Sequence, residues 1–110
     1  MNEIIYAGKH LITFSVSTHA HTNWEFIYCT SGEGQLIYNE KCLPYKEGDL
    51  LLIPPMVYHR NESSTGFTNI HFNMANPAIT PSTTSIWRWS GASLSSLSAP
   101  PAAENPRRCA

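Results

Sequence analysis

Three histidines and one glutamate are the residues in this sequence best suited to chemistry. His19 and His21 are separated by one residue, and Glu25 lies four residues after His21. Because side chains alternate faces along a β-strand, the two imidazoles are predicted to point the same way, and Glu25 shares their parity. With His59 they form a set that suits a divalent transition metal such as Zn, Fe, Mn or Ni. The alternative is a polar pocket lined by the same side chains, with no obligatory metal.

Two aromatic residues near this set could contribute to a binding site. Trp24 and Tyr28 flank Glu25 in the sequence, and aromatic faces suit sugars and other flat apolar surfaces. The predicted ligand-binding residues are therefore these two aromatic residues, the three histidines and Glu25. Packing in the core is the alternative role for the two aromatic side chains. The sequence shows neither a nucleophile motif nor a phosphate-binding loop, so no catalytic residue is predicted.

The elements that must position these residues are predicted to be β-strands. Short runs of apolar, β-branched and aromatic residues alternate with turn residues, and no helical periodicity is visible. Gly32-Glu33-Gly34 is predicted to be a turn, and Asn39-Glu40 a tight hairpin. The sequence therefore predicts an all-β fold, either a sandwich or a small barrel. Strands are expected at residues 4–6, 11–16, 25–31, 35–38, 41–43, 50–53 and 68–74.

The composition changes near residue 76, which divides the 110 residues into one domain and a tail. Residues 1–76 have a formal charge of −3, whereas residues 77–110 have +2 and are rich in Ser, Thr, Pro and Ala. A segment with so little apolar surface cannot offset its loss of conformational entropy. We expect most of the tail to be irregular or disordered, with residues 86–89 packing on the domain or on a partner.

Charge and hydropathy exclude several classes of partner. The net charge is −1 and no cluster of Lys or Arg precedes Arg107-Arg108, so we expect no direct binding of nucleic acid. No uninterrupted apolar segment has the length of a signal peptide or a membrane span. The sequence therefore predicts a cytoplasmic protein without membrane contact.

Three cysteines, Cys29, Cys42 and Cys109, give an odd count without paired spacing. This pattern does not predict a disulfide framework or a Cys-x-x-Cys metal site. We interpret the cysteines as two thiols that fill the core and one thiol in the tail.

Two motifs resemble those of a known superfamily. HAHTNWEFIYCTSG, residues 19–32, resembles the first cupin motif, and GDLLLIPPMVYH, residues 48–59, resembles the second. Residues 10–74 are similar to the N-terminal sensor domain of AraC-like transcription regulators. The resemblance implies a single cupin-like, jelly-roll β-barrel that binds a small-molecule effector, such as a sugar or a related metabolite.

Three positions depart from the cupin motifs. Thr13 and Met56 stand where the motifs have Gly, and Ser63 stands where the second motif has Asn. An AraC-like regulator would continue with a dimerising helix and two helix-turn-helix units. Because the resemblance ends at Met74, we interpret the sequence as a truncated or frame-shifted sensor that does not bind DNA by itself.

The sequence leaves two functions open. The first is an effector-binding cupin domain of an AraC-like regulator, without an obligatory cofactor and able to form a homodimer. The alternative is a small metal-dependent cupin enzyme of the dioxygenase or isomerase type. In that alternative the four candidate ligands would hold the metal, and no separate general base is evident in the sequence.

Overall fold

The structure, a computed structural model, describes residues 4–75, 86–90 and 107–109. These residues form seven β-strands and no helix, so the predicted all-β class is confirmed. Within the same ranges there is accordingly no helix long and apolar enough to cross a membrane. The strands are β1 (Ile4–His19), β2 (Trp24–Tyr38), β3 (Lys41–Lys46), β4 (Leu50–Ile53), β5 (His59–Met74), β6 (Trp87–Trp89) and β7 (Arg107–Arg108).

The strands pair in antiparallel fashion around three long strands. The order in the sheet is β1-β5-β2-β3-β7, and β4 pairs with both β2 and β6. Along one edge of β2, its first half pairs with β4 and its second half with β3. Along the other edge, β5 follows β2 over most of its length. β5 also pairs with β1, and this ladder ends at the pair His19 and His59.

The ribbon formed by β2 and β5 folds back on itself. Glu25 pairs near one end of this ladder and His59 lies beyond the other end, yet the two side chains are 3.5 Å apart. The bend lies at Gly32 and Gly66, which have positive φ angles of 78° and 92°, and the register shifts on both sides of Gly32. The predicted turn at Gly32-Glu33-Gly34 is therefore wrong, because the chain passes through these residues as a bent, continuous strand.

The connection between β2 and β3 is the two-residue hairpin predicted at Asn39-Glu40. Both residues have positive φ, 48° and 62°, as a type I′ turn requires. Tyr38 and Lys41 are paired across the turn. The hairpin prediction is confirmed.

Two apolar clusters form the core, and they lie on opposite faces of β2. Ile27 and Cys29 belong to the first cluster, whereas Trp24 and Phe26 belong to the second. Before the bend the residues of β2 that belong to the first cluster are odd-numbered. After the bend the even-numbered Leu36 belongs to it, so the face on which a given parity lies has changed. The first cluster comprises Ile27, Cys29, Leu36, Tyr38, Leu43, Tyr45, Leu51, Ile53, Phe67 and Ile86. The second comprises Trp24, Phe26, Leu50, Leu52, Met74 and Trp89.

Two short strands lie within the segment predicted to be a tail. Trp87–Trp89 pairs with β4, with Ile86 and Trp89 buried, so the expected packing of residues 86–89 on the domain is confirmed. Arg107–Arg108 pairs with β3. The predicted irregularity of the tail otherwise falls on residues outside the described ranges.

A disulfide joins Cys42 to Cys109, which are 67 residues apart in the sequence. Cys29 is free and buried. The interpretation of all three cysteines as unpaired thiols is therefore wrong for two of them. Pairing of β7 with β3 brings the two Cα atoms within 5.2 Å, a distance that suits a disulfide.

We expect Tyr45→Phe to lower the free energy of unfolding by about 1–3 kcal/mol. The Tyr45 hydroxyl donates to Oδ1 of Asn61 at 3.0 Å in a buried site, and the substitution leaves that amide oxygen without its donor. Denaturant unfolding measures the change. Tyr58→Phe is the control, because Tyr58 is 62% exposed and should change stability by less than about 0.5 kcal/mol. Equal effects of the two variants would contradict the assignment.

Candidate functional site

The backbone brings four predicted residues to one place. His19 ends β1 and pairs with His59, which begins β5. Glu25 is the second residue of β2 and reaches the same place through the fold of the ribbon. His21 lies outside the strands, in the connection between β1 and β2, and not on a strand as the alternation argument predicts.

The side chains of these four residues converge. One ligand atom from each of them lies within 4.8 Å of the others. Oε1 of Glu25 is 3.3 Å from Nε2 of His21 and 3.5 Å from Nε2 of His59. The ring centroid of His19 lies 4.8 Å from that of His21 and 4.4 Å from that of His59. We refer to these four residues as the His–Glu cluster.

Hydrogen bonds to the backbone fix the orientation of two imidazoles. Nδ1 of His59 lies 2.8 Å from the carbonyl oxygen of Val57, and Nδ1 of His19 lies 2.7 Å from that of Ser17. Because a carbonyl oxygen can only accept, Nδ1 must be the donor in both rings. In a neutral ring this leaves Nε2 with its lone pair directed away from the backbone, which is the tautomer that metal-binding histidines adopt.

Burial gives the cluster its electrostatic character. His59 and Glu25 are buried, whereas the side chain of His21 is 34% exposed. Burial by itself raises the pKa of Glu25, but the contact with His59 and the charges of the three imidazoles bring it below its ordinary value. Burial also lowers the pKa of His21, an effect that Glu25 opposes and the other two histidines reinforce. These effects favour an ionised Glu25 beside a neutral His21.

Three buried atoms of the cluster lack a hydrogen-bond partner among the described residues: Nε2 of His21, Nε2 of His59 and Oε1 of Glu25. An unsatisfied buried polar atom costs about 1–3 kcal/mol. Donor atoms bound to one transition metal lie about 2.0–2.2 Å from it, and hence about 3–4.3 Å from each other. A small inward rotation of the side chains would bring the cluster into that range, so the four residues fit a divalent metal.

The connection that carries His21 is held by a strained turn. The amide of Met56 donates to the carbonyl oxygen of His21 at 2.7 Å. Met56 has a φ of 64° and stands where the second cupin motif has Gly. Left-handed backbone is unfavourable for a residue with a Cβ atom, so the departure from the motif at this position has an energetic cost.

Met56→Gly is therefore expected to raise the free energy of unfolding by about 0.5–1 kcal/mol, after allowance for the greater flexibility of glycine in the unfolded chain. Little packing is lost, because Met56 is 58% exposed. Chemical denaturation measures the change. Met56→Ala retains the Cβ atom and should give no stabilisation, and an equal gain from Ala would show that backbone strain is not the cause.

The two predicted aromatic ligand residues lie elsewhere. Trp24 is buried in the second cluster, and Tyr28 packs against the same cluster. Glu25 shares the parity of Ile27, which belongs to the first cluster on the opposite face of β2. The structure therefore places both aromatic residues in the packing role considered as their alternative, away from the His–Glu cluster.

A cavity of about 660 Å³ is lined by none of the four cluster residues and was not predicted from the sequence. It opens where β1 and β5 approach the bend of β2, three residues along β5 from His59. Its lining mixes carboxylates, hydroxyls and aromatic rings contributed by four strands, a combination without a local sequence signal. The residues that line it are Phe14, Ser15, Glu33, Gly34, Gln35, Pro44, Tyr45, Glu62, Ser63 and Ser64.

Solved structures share this architecture. The protein YhaK from Escherichia coli aligns with 81% of this chain at 12% identity and a TM-score of 0.65, and this chain spans only 43% of YhaK. The protein NMB1881 from Neisseria meningitidis aligns with 68% of this chain and 84% of its own, at 18% identity and a TM-score of 0.55. A cupin-2 domain containing protein from Shewanella frigidimarina aligns with 66% of this chain and 78% of its own, at 15% identity and a TM-score of 0.53. These similarities establish the cupin-like, jelly-roll fold.

The family is established by the sequence as a whole. No curated protein matches the chain significantly. Residues 3–105, however, match the family described as AraC-like ligand binding domain. This match extends past Met74, where the resemblance read from the motifs ends. The chain belongs to the family of AraC-like ligand-binding domains, with a cupin fold.

Proposed function

We propose that this chain is the effector-binding domain of an AraC-like transcription regulator, and that the His–Glu cluster forms its polar binding site. One observation supports the location of the site. Three buried polar atoms of the cluster face one another without hydrogen-bond partners among the described residues. A bound molecule or ion that supplies those partners would recover their desolvation cost, which gives the site an intrinsic tendency to be filled.

We also propose that His19, His21, Glu25 and His59 hold a divalent transition metal. The fixed Nδ1 donors of His19 and His59 leave their Nε2 atoms as ligands, and Glu25 provides a carboxylate oxygen. The ion would supply a Lewis acid for oxygen or nitrogen atoms of an effector.

The effector class that we propose is a sugar or a related hydroxylated metabolite. Its hydroxyl groups could donate to Oε1 of Glu25 and accept from or donate to the imidazoles. The partly exposed side chain of His21 provides the side from which a molecule can enter. In a complete regulator, effector binding would bias how the domain meets a DNA-binding unit, which is a coupling between two sites. Family membership favours this function over the metal-dependent enzyme considered from the sequence.

Two measurements on protein purified without a metal-affinity tag test the proposal. Elemental mass spectrometry measures transition metal per chain, with about one equivalent expected. Thermal unfolding is then followed with a panel of neutral sugars, and at least one should raise the Tm of the wild type. That shift should be absent in Glu25→Ala and present in Glu33→Ala, a control residue that lines the separate cavity. A sugar shift that persists in Glu25→Ala would place the effector outside the cluster.

The two measurements separate the two parts of the proposal. A Tm increase with a sugar but without bound metal would support the effector-binding function and contradict the metal site. The cluster would then be a polar pocket. Bound metal without a shift by any sugar would retain the metal site and exclude the proposed effector class.

A further inference from the structure

The last described strand is attached to the domain at one edge of the sheet. Residues Arg107–Arg108 of β7 pair with Lys41 and Cys42 of β3. The amide of Cys109 donates to the carbonyl oxygen of Glu40 at 3.3 Å. The disulfide between Cys42 and Cys109 is the covalent link at this edge.

The backbone contacts of β7 are too few to hold it in place alone. A two-residue strand forms only a few hydrogen bonds, and each adds little net stability in water. Fixing the backbone of each residue costs conformational entropy of a similar or larger size. The docking of β7 on β3 must therefore depend on the disulfide.

We propose that the bond between Cys42 and Cys109 is a redox-responsive tether whose reduction by a dithiol releases β7 from the edge of β3. Cys42 is buried and Cys109 is half-buried, so a thiolate of the reductant attacks Sγ of Cys109. A mixed disulfide forms and Cys42 leaves as a thiolate, which takes up a proton. The second thiol of the reductant then attacks the mixed disulfide and Cys109 leaves, so that two electrons and two protons pass to the protein and the reductant becomes a disulfide.

The remaining cysteine is protected from this exchange. Cys29 is buried in the first cluster, and its thiol donates to the carbonyl oxygen of Ser31 at 3.3 Å. Burial raises the pKa of the Cys29 thiol to about 11, and a protonated thiol does not attack disulfides. The exchange is therefore confined to the pair at the edge of the sheet.

Release of β7 exposes part of the edge of the sheet at β3. Among the described strands, β3 pairs only with β2 and β7. Reduction would extend the open edge of β3 to Lys41 and Cys42, and their freed backbone groups can pair with another segment or chain. This change lies on β3 and leaves the His–Glu cluster intact, so it is independent of the proposed effector site.

Trypsin tests the tether, because it cleaves after arginine and both residues of β7 are arginine. The full chain is digested briefly with and without a prior dithiothreitol treatment, quenched in acid, fully reduced and weighed intact by mass spectrometry. Cleavage after Arg107 or Arg108 should be at least tenfold faster in the reduced protein. Cys109→Ser should be cleaved at the fast rate in both conditions, and Cys29→Ser should behave as the wild type.

Three outcomes would overturn the proposal. The first is an equal cleavage rate in the oxidised and reduced protein, and the second is alkylation of two or more thiols in folded protein that was never reduced. The third is an equal acceleration of cleavage after Lys46, within the sheet, since that would indicate global unfolding. This internal site keeps the test decisive even if Cys109→Ser does not fold.

Discussion

His59→Ala is expected to weaken Zn²⁺ binding at least about 100-fold, equivalent to about 2.7 kcal/mol. His59 is buried, and its Nδ1 is hydrogen-bonded to the Val57 carbonyl oxygen, which orients Nε2 toward Glu25. Because the ring is ordered before the ion binds, it loses little conformational entropy on binding. A water molecule in its place would lose more entropy and is a weaker ligand. Isothermal titration of the metal-free protein with Zn²⁺ measures the affinity.

His71→Ala provides the matched control for this prediction. His71 lies on the same strand, is half-buried and has Nδ1 3.3 Å from Oδ1 of Asn69, but it does not belong to the His–Glu cluster. Its removal should leave the affinity within about threefold of the wild type, since it supplies no ligand atom. Thermal unfolding of both variants shows whether they are folded. An equal loss of Zn²⁺ affinity in a folded His71→Ala protein would show that the His–Glu cluster is not the metal site.

A second readout follows from linkage between binding and folding. Zn²⁺ at 100 times its Kd should stabilise the wild type by about 2.7 kcal/mol, because it binds the folded state. At the same concentration, His59→Ala should show an increase of less than about 0.5 kcal/mol. A Tm shift that remains in His59→Ala would mean that Zn²⁺ stabilises the chain at another place.

The sequence predicted the fold class and the four members of the cluster from local patterns. Alternation and turn residues are local, so the hairpin at Asn39-Glu40 and the buried strand Leu50–Ile53 could be read directly. The pattern of His19, His21 and Glu25 is equally local. The approach of His59 was inferred from two motifs together, and the structure shows its physical origin in the folded ribbon of β2 and β5.

The remaining features depend on contacts distant in the sequence. Cys42 and Cys109 meet only because β7 pairs with β3, and their spacing of 67 residues gives no indication of this. The bend at Gly32 resembles a turn in sequence because Gly favours both, and only its partner Gly66 distinguishes them. The cavity is likewise assembled from four strands.

The separation of Trp24 and Tyr28 from Glu25 could have been predicted from the sequence. Trp24 and Tyr28 are an even number of residues apart, and each is an odd number from Glu25. Along a regular strand this parity puts both aromatic side chains on the face opposite to the carboxylate. The structure has this arrangement, with Glu25 on the side of the first cluster and both aromatic residues at the second.

Gly32→Ala is expected to lower the free energy of unfolding by about 3–5 kcal/mol, at the upper end for a single substitution. Two costs combine in this variant. Gly32 has a φ of 78°, where a residue with a Cβ atom is strained. The added methyl group would also lie 2.1 Å from the carbonyl oxygen of Gly66 and 2.9 Å from Cα of Phe67. Both neighbours are backbone atoms, so relief requires the two strands to separate at the bend.

Gly66→Ala separates these two costs, because it has the same strain without the backbone collision. Its φ is 92°, but the new methyl group would meet side-chain atoms of Ile12 and Phe14 at 3.2–3.3 Å. Both side chains are exposed and can rotate away, so a loss of only about 1–2 kcal/mol is expected. Denaturant unfolding of the two variants gives the comparison. If Gly66→Ala proved as costly as Gly32→Ala, backbone conformation alone would account for the bend, and close contact between the strands would not be its cause.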